Sequence, residues 1–160
     1  MKNYSLKNVL QPLISQAGNN ITFPGNLFLD ITIVDTFQNN YLHYLIKYHL
    51  NFDHQLYKIR FVKLLLEKEI DTNVQNNCGS TPLHLAIEKE ARNVACLIAI
   101  HTPTNVNIQN KNGQTALHLA VRMWKISSDG LKSVSELVEI LIQRGADLNI
   151  KGKCVIIIVL

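Results

Sequence analysis

Apolar positions fall three and four residues apart along much of the chain, the spacing of helices that bury one face. Leu83, Ala86 and Ile87 make one stripe, Val94, Leu97 and Ile98 a second, and Val62, Leu65 and Leu66 an earlier counterpart of the second. Thr81 can accept from the free N–H groups of a first helical turn and Pro82 suits the first helical position, so a helix is expected to open there. Small Ala86 and Ala120 would let neighbouring helices approach closely. Near the start, Leu6, Val9, Leu10, Leu13 and Ile14 outline an amphipathic helix, kinked near Pro12 and ending before Gly18. Leu27–Val34 reads either as extended chain or as the loop left from a decayed unit.

The pattern then repeats itself. Gly79-Ser80-Thr81-Pro82-Leu83-His84-Leu85-Ala86-Ile87 returns as Gly113-Gln114-Thr115-Ala116-Leu117-His118-Leu119-Ala120-Val121, 34 residues on. Asp71-Thr72-Asn73-Val74-Gln75-Asn76 returns as Asn105-Val106-Asn107-Ile108-Gln109-Asn110 at the same offset, and Gly145-Ala146-Asp147-Leu148-Asn149-Ile150 is a third copy of that loop. A weaker first unit aligns through Asp35 and His43, with Asn40 and Tyr41 where Thr and Pro stand later. Self-similarity of this period marks stacked units that bury their apolar faces only against their neighbours.

These blocks resemble the ankyrin-repeat family, over about residues 28–150 and most clearly over 61–150. The resemblance implies an all-α solenoid of stacked antiparallel helix pairs with projecting loops. Its expected divisions are a capping helix and loop over 1–27, repeats at about 36–72, 77–107 and 111–149 within 28–150, and an apolar tail or eroded further repeat over 151–160. Gly145 sits where a left-handed helix cap is wanted, whereas Glu69 and Pro103 depart from that. Extra residues stand near Tyr48–Lys58 and Trp124–Val134. Leu56, Ile59, Val62 and Leu66 keep helical spacing, so the first insertion reads as an earlier helix start. Ser127-Ser128-Asp129-Gly130 reads as a turn before a lengthened helix.

The resemblance also implies a non-enzymatic scaffold that binds another protein on its concave loop and helix surface. The family's variable contact positions fall on Thr36, Phe37, Asn39, Lys47 and Tyr48 in the first repeat. In the second they are Asn77, Cys78, Ser80, Glu88 and Lys89, and in the third Lys111, Asn112, Gln114, Arg122 and Met123. Phe37, Tyr48 and Arg122 are expected to matter most. Two other readings stay open: a host-directed inhibitor resembling the inhibitor-of-NF-κB proteins, and the product of a truncated gene.

Composition changes this picture little. The net charge of +4 is scattered in ones and twos, and no basic stripe points to nucleic acid. Cys78, Cys96 and Cys154 are odd in number and form no CxxC, which argues for a reducing compartment; with no apolar leader run at the start, a cytoplasmic location is expected, or a host cell for an exported effector, and the chain is expected to be a monomer. The one unbroken apolar run, Val155–Leu160, is far short of the roughly 20 residues that span a bilayer as a helix. Cys78, His84, Cys96 and His101 have spacing close to a zinc finger, but His118 repeats His84 without matching cysteines, so no metal is expected. No nucleophile, phosphate-loop or dinucleotide motif appears, hence no catalytic residue and no cofactor is assigned. Met123 and Trp124 read equally as core or as exposed anchors.

Overall fold

The computed structural model describes residues 30–47, 55–126 and 131–152; the side chains of 55–57 and 124–135 are outside that description. The expected helix at Leu6–Ile14, Tyr48, the turn at 127–130 and the tail from 153 onward all lie outside the described residues. The described residues form six helices and no strand: α1 (Tyr41–Lys47), α2 (Gln55–Glu67), α3 (Pro82–Glu88), α4 (Arg92–Ile100), α5 (Ala116–Ile126) and α6 (Leu131–Gln143). Each odd helix packs on the even helix that follows it. The odd helices α1, α3 and α5 pack in one row and the even helices in a second. This is the two-layer stack that the repeats imply.

Each short first helix starts where a side chain can cap it. Thr81 is extended at φ −79°, ψ 167°, its hydroxyl accepts from His84 N, and Pro82 occupies the first helical position. Leu83, Ala86 and Ile87 are buried, as are Leu117, Ala120 and Val121 one repeat on. In the second row Val62, Leu65, Val94, Ala95, Ile98 and Leu141 are buried. Each large aliphatic side chain among them contributes roughly 1.5–3 kcal/mol by leaving water. Leu97 departs from the expected stripe: it is only half-buried, and Ala95 and Ala99 take the innermost places of α4.

The extra residues lengthen helices. α2 and α6 have 13 residues against 9 in α4, and α5 has 11 against 7 in α1 and α3. Asp30–Asp35 is neither strand nor helix. Asp30 Oδ1 accepts from Thr32 N at 3.1 Å, as Asp71 Oδ1 does from Asn73 N and Asp147 Oδ1 from Asn149 N at 2.8 Å. The loop pattern therefore reaches back to Asp30, which favours the loop reading for residues 30–34; residues 27–29 lie outside the described residues.

The second helices end in two ways. Glu69 takes φ 58° and Gly145 φ 81°, the left-handed cap that the register asks for. Pro103 cannot take a positive φ, and α4 instead ends at Ile100 with His101 extended at φ −61°, ψ 122°. Its last carbonyls are covered from the neighbouring repeat. Arg144 Nε donates to Ala99 O at 3.2 Å, and Arg144 Nη2 donates to Thr102 O at 2.7 Å and His101 O at 3.4 Å. A cation there also suits the negative end of the helix. Arg144→Ala is expected to cost about 1–2 kcal/mol, the low end for charge-assisted bonds because the side chain is half-exposed. Urea unfolding would check this, and a loss no larger than that of Lys63→Ala would refute the capping role.

Candidate partner-binding surface

The loop tips that precede α1, α3 and α5 are built from one side chain used three times. Asp35 Oδ1 accepts from Phe37 N and Asn39 N, both at 2.8 Å. Asn76 Oδ1 accepts from Cys78 N at 2.9 Å and Ser80 N at 3.1 Å. Asn110 Oδ1 accepts from Asn112 N and Gln114 N at 3.0 Å. A short acceptor side chain that bonds its own backbone two and four residues on fixes the turn locally. The left-handed residue in each tip is Gln38 (φ 61°), Gly79 (φ 71°) or Gly113 (φ 69°), not an asparagine.

Successive tips are then tied together. Asn77 N donates to Phe37 O at 2.9 Å and Lys111 N to Cys78 O at 3.2 Å. Gln75 Nε2 donates to Gly79 O in its own loop at 2.7 Å and to Gln109 O in the next at 2.9 Å; Gln109 Nε2 does the same to Gly113 O and Lys151 O. Asn73 Nδ2 donates to Pro103 O at 2.8 Å while its Oδ1 accepts from Asn105 N at 2.7 Å, and Asn107 repeats this with Gly145 O and Asp147 N. The asparagines expected to favour turns thus also act as clamps between repeats. Their recurrence at an offset of 34 was the signal that could have revealed it.

Histidines carry the ties inward. His43 Nε2 donates to Ser80 O and His84 Nε2 to Gln114 O, both at 2.9 Å. Asn39 lies beside the same seam, its amide 3.0 Å from Asp35 Oδ2 and its carbonyl accepting from Asn76 Nδ2 at 3.2 Å. Asn39, Ser80 and Gln114 are only 4%, 5% and 4% exposed. All three were expected to touch a partner. The stacking of the next loop removes them from the surface, and they hold the scaffold instead.

Ten of the expected contact residues are exposed: Thr36, Phe37, Lys47, Asn77, Cys78, Glu88, Lys89, Lys111, Asn112 and Arg122. Met123 is half-buried against the core. Phe37 is 60% exposed, and Lys47 Nζ stands 5.6 Å from its ring centroid, a cation–π contact. Lys47, Glu88 and Arg122 occupy equivalent positions on the adjacent helices α1, α3 and α5. Burial pushes the Glu88 carboxyl up, and the charges of Arg122 and Lys89 oppose that shift.

The metal candidate does not assemble. His84 has one ring nitrogen on Gln114 O and the other beside Thr81, whereas Cys78 is exposed on a loop tip. Cys96 is half-buried in α4, where burial and then the charge of Glu136 raise its thiol. Among the described residues no group of three or more His, Cys, Asp and Glu could hold a metal ion, and no helix is long and apolar enough to cross a membrane. The family model described as ankyrin repeats, three copies, matches residues 54–152. No curated protein matches the sequence.

Proposed function

Because the chain belongs to the ankyrin-repeat family, whose members are typically non-enzymatic and generally mediate protein–protein interaction, we propose that it is a binding module that holds a partner protein on its loop tips and first-helix faces. The proposed contact set is the ten exposed residues above together with Met123 and, on the sequence alone, Tyr48. Asn39, Ser80 and Gln114 are left out of it. The observation that carries the reading is Phe37: a large apolar side chain left mostly exposed, with the Lys47 ammonium over its ring, on a backbone pinned by Asp35 Oδ1 at its N–H and by Asn77 N at its carbonyl. Displaying such a side chain rigidly lowers the ordering cost of binding, and aromatic anchors dominate interface energetics. The module is proposed to act as a cytoplasmic monomer, without nucleic acid and without a cofactor.

The test is affinity capture with the intact chain, followed by titration of the captured protein against Phe37→Ala and Arg122→Ala. Phe37→Ala is expected to weaken binding at least about tenfold, which is about 1.4 kcal/mol. Lys63→Ala, on the opposite layer, is the control. Unchanged affinity in both surface variants would sink the assignment of this face.

A further inference from the structure

We infer that Asn112–Gly113 on the third tip is a modification site, at which the Asn112 amide is exchanged for a carboxylate with water as the only co-reactant, and that the hydrogen bonds of the tip hold this reaction back. Of the seventeen asparagines in the chain, only Asn112 is followed by glycine. The reaction closes a five-membered ring between an asparagine side chain and the backbone nitrogen of the next residue, so the bulk of that next residue governs its ease. Glycine has no Cβ to crowd the ring. Asn73, Asn93, Asn105, Asn107 and Asn149 are followed instead by Val or Ile, whose branched Cβ does crowd it. The clamps Asn73 and Asn107 are thus guarded by their own sequence. The third tip is not. Phe37-Gln38, Cys78-Gly79 and Asn112-Gly113 share one register, and only the last pair brings the two reacting groups together.

The chemistry needs nothing beyond solvent. The Gly113 nitrogen gives up its proton and forms a bond to Asn112 Cγ; the Cγ–Nδ2 bond breaks, and the departing nitrogen takes up a proton and leaves as ammonia. One water then opens the cyclic imide. Opening at Cγ leaves aspartate in an unaltered main chain. Opening at the backbone carbonyl leaves isoaspartate, in which the main chain runs through Cβ and Cγ and the α-carboxylate is free. Either way one water is taken up and one ammonia released, without oxidant or reductant.

The fold controls access to this step. Asn112 is exposed, so water reaches it. The attacking nitrogen is engaged elsewhere: Gly113 N donates to Asn110 O at 2.8 Å, and Gly113 takes φ 69°. Asn112 N and Gln114 N both donate to Asn110 Oδ1 at 3.0 Å, and Gln109 Nε2 holds Gly113 O at 2.7 Å. Ring closure turns the Asn112–Gly113 peptide toward the Asn112 side chain and so breaks the bond to Asn110 O. The reaction therefore proceeds from the opened tip, at a rate set by how often the tip opens. Isoaspartate adds a carbon to the main chain within this turn, so the same bonds cannot all return, and the tie from Lys111 N to Cys78 O is weakened with them. Aspartate keeps the turn but places a carboxylate on the exposed tip, lowering the net charge of +4 by one.

The test incubates the full chain in neutral buffer and in guanidinium chloride beyond its unfolding transition, and follows Asn112 by peptide mapping with aspartate and isoaspartate separated. The unfolded chain is expected to convert Asn112 at least about tenfold faster than the folded chain, and faster than any other asparagine. Asn110→Ala removes the acceptor for two N–H groups of the tip and should speed conversion in the folded chain at least about fivefold. Asn110→Asp keeps an acceptor there, as Asp35 does in the first tip, and should stay near the parent. Gln109→Ala, which releases Gly113 O, should also speed conversion, and it carries the test if circular dichroism shows Asn110→Ala unfolded. Equal rates in the folded and unfolded chains would overturn the control by the tip. An Asn112 that stays intact in the unfolded chain, or that is lost more slowly there than another asparagine, would overturn the site. Conversion in folded Asn110→Asp as fast as in Asn110→Ala would show that the turn acceptor is not what holds the reaction back.

Discussion

Gly79→Ala is expected to lower stability by about 2–3 kcal/mol, whereas Gly145→Ala costs about 1 kcal/mol. Both glycines have positive φ, 71° and 81°, so an alanine at either carries the left-handed penalty. The surroundings differ. A Cβ at Gly79 would lie 2.7 Å from Lys111 N and 3.2 Å from Asn110 C, backbone atoms of the next loop; at Gly145 nothing stands within 4 Å. Lys111 N is also the donor that ties the third tip to Cys78 O, so relief of the clash breaks a link between repeats. Gln38 takes the same left-handed conformation, φ 61°, at the equivalent position of the first tip, so the positive φ alone does not forbid a side chain there. Urea unfolding of the two variants beside the parent checks this. Equal losses would mean that the second and third tips are not in the contact described.

How much of this was readable in advance depends on where each residue finds its partner. The helices, the caps and His84 beside Thr81 follow from local spacing, because a residue and its partner lie within one turn of each other. So does Gly145, whose conformation its own helix end dictates. The burial of Asn39, Ser80 and Gln114 comes from the loop of another repeat lying over them, and their polar character suggests exposure instead. Arg144 is a sharper case. Its partners, the carbonyls of Ala99, His101 and Thr102, are more than forty residues earlier, and the need for it arises only because Pro103 prevents the ordinary cap. Leu97 is half-buried like Leu64 and Ile140, the residues that precede buried Leu65 and Leu141 in α2 and α6, so its place is common to the second helices. On the surface itself, spacing located the tips, but only stacking decides which tip residues reach water.

Acidification is expected to weaken the stack through two buried imidazoles. Burial lowers the His43 and His84 pKa below the ordinary 6.5, and the bonds to the Ser80 and Gln114 carbonyls only partly oppose it. A histidine with a depressed folded-state pKa binds its proton more readily when unfolded. Its contribution is therefore complete above about pH 6.5 and is lost as pH falls below that value, at up to about 1.4 kcal/mol per unit for each ring. The two sites are not alike. At His84, Nδ1 lies 2.8 Å from the Thr81 hydroxyl, which can donate to it, so the neutral ring has a partner at both nitrogens. At His43, Nδ1 lies 2.9 Å from Asn40 Oδ1, an oxygen that cannot donate. Turning the Asn40 amide over does not help, because its nitrogen bonds Asp71 O at 2.7 Å and its oxygen caps His43 N at 3.2 Å. The neutral His43 ring accepts from Asn40 N at 3.3 Å, but the nearer Asn40 Oδ1 offers it no proton, so protonation exchanges the longer bond for a shorter one; the Asp35 charge favours it too, and the His84 charge opposes it. His84 should consequently titrate at lower pH than His43 and carry more of the acid sensitivity. Thermal unfolding between about pH 5 and about pH 7.5, with imidazole proton shifts followed by NMR, tests both statements. A melting temperature flat across that window refutes the first, and His43 titrating below His84 refutes the second.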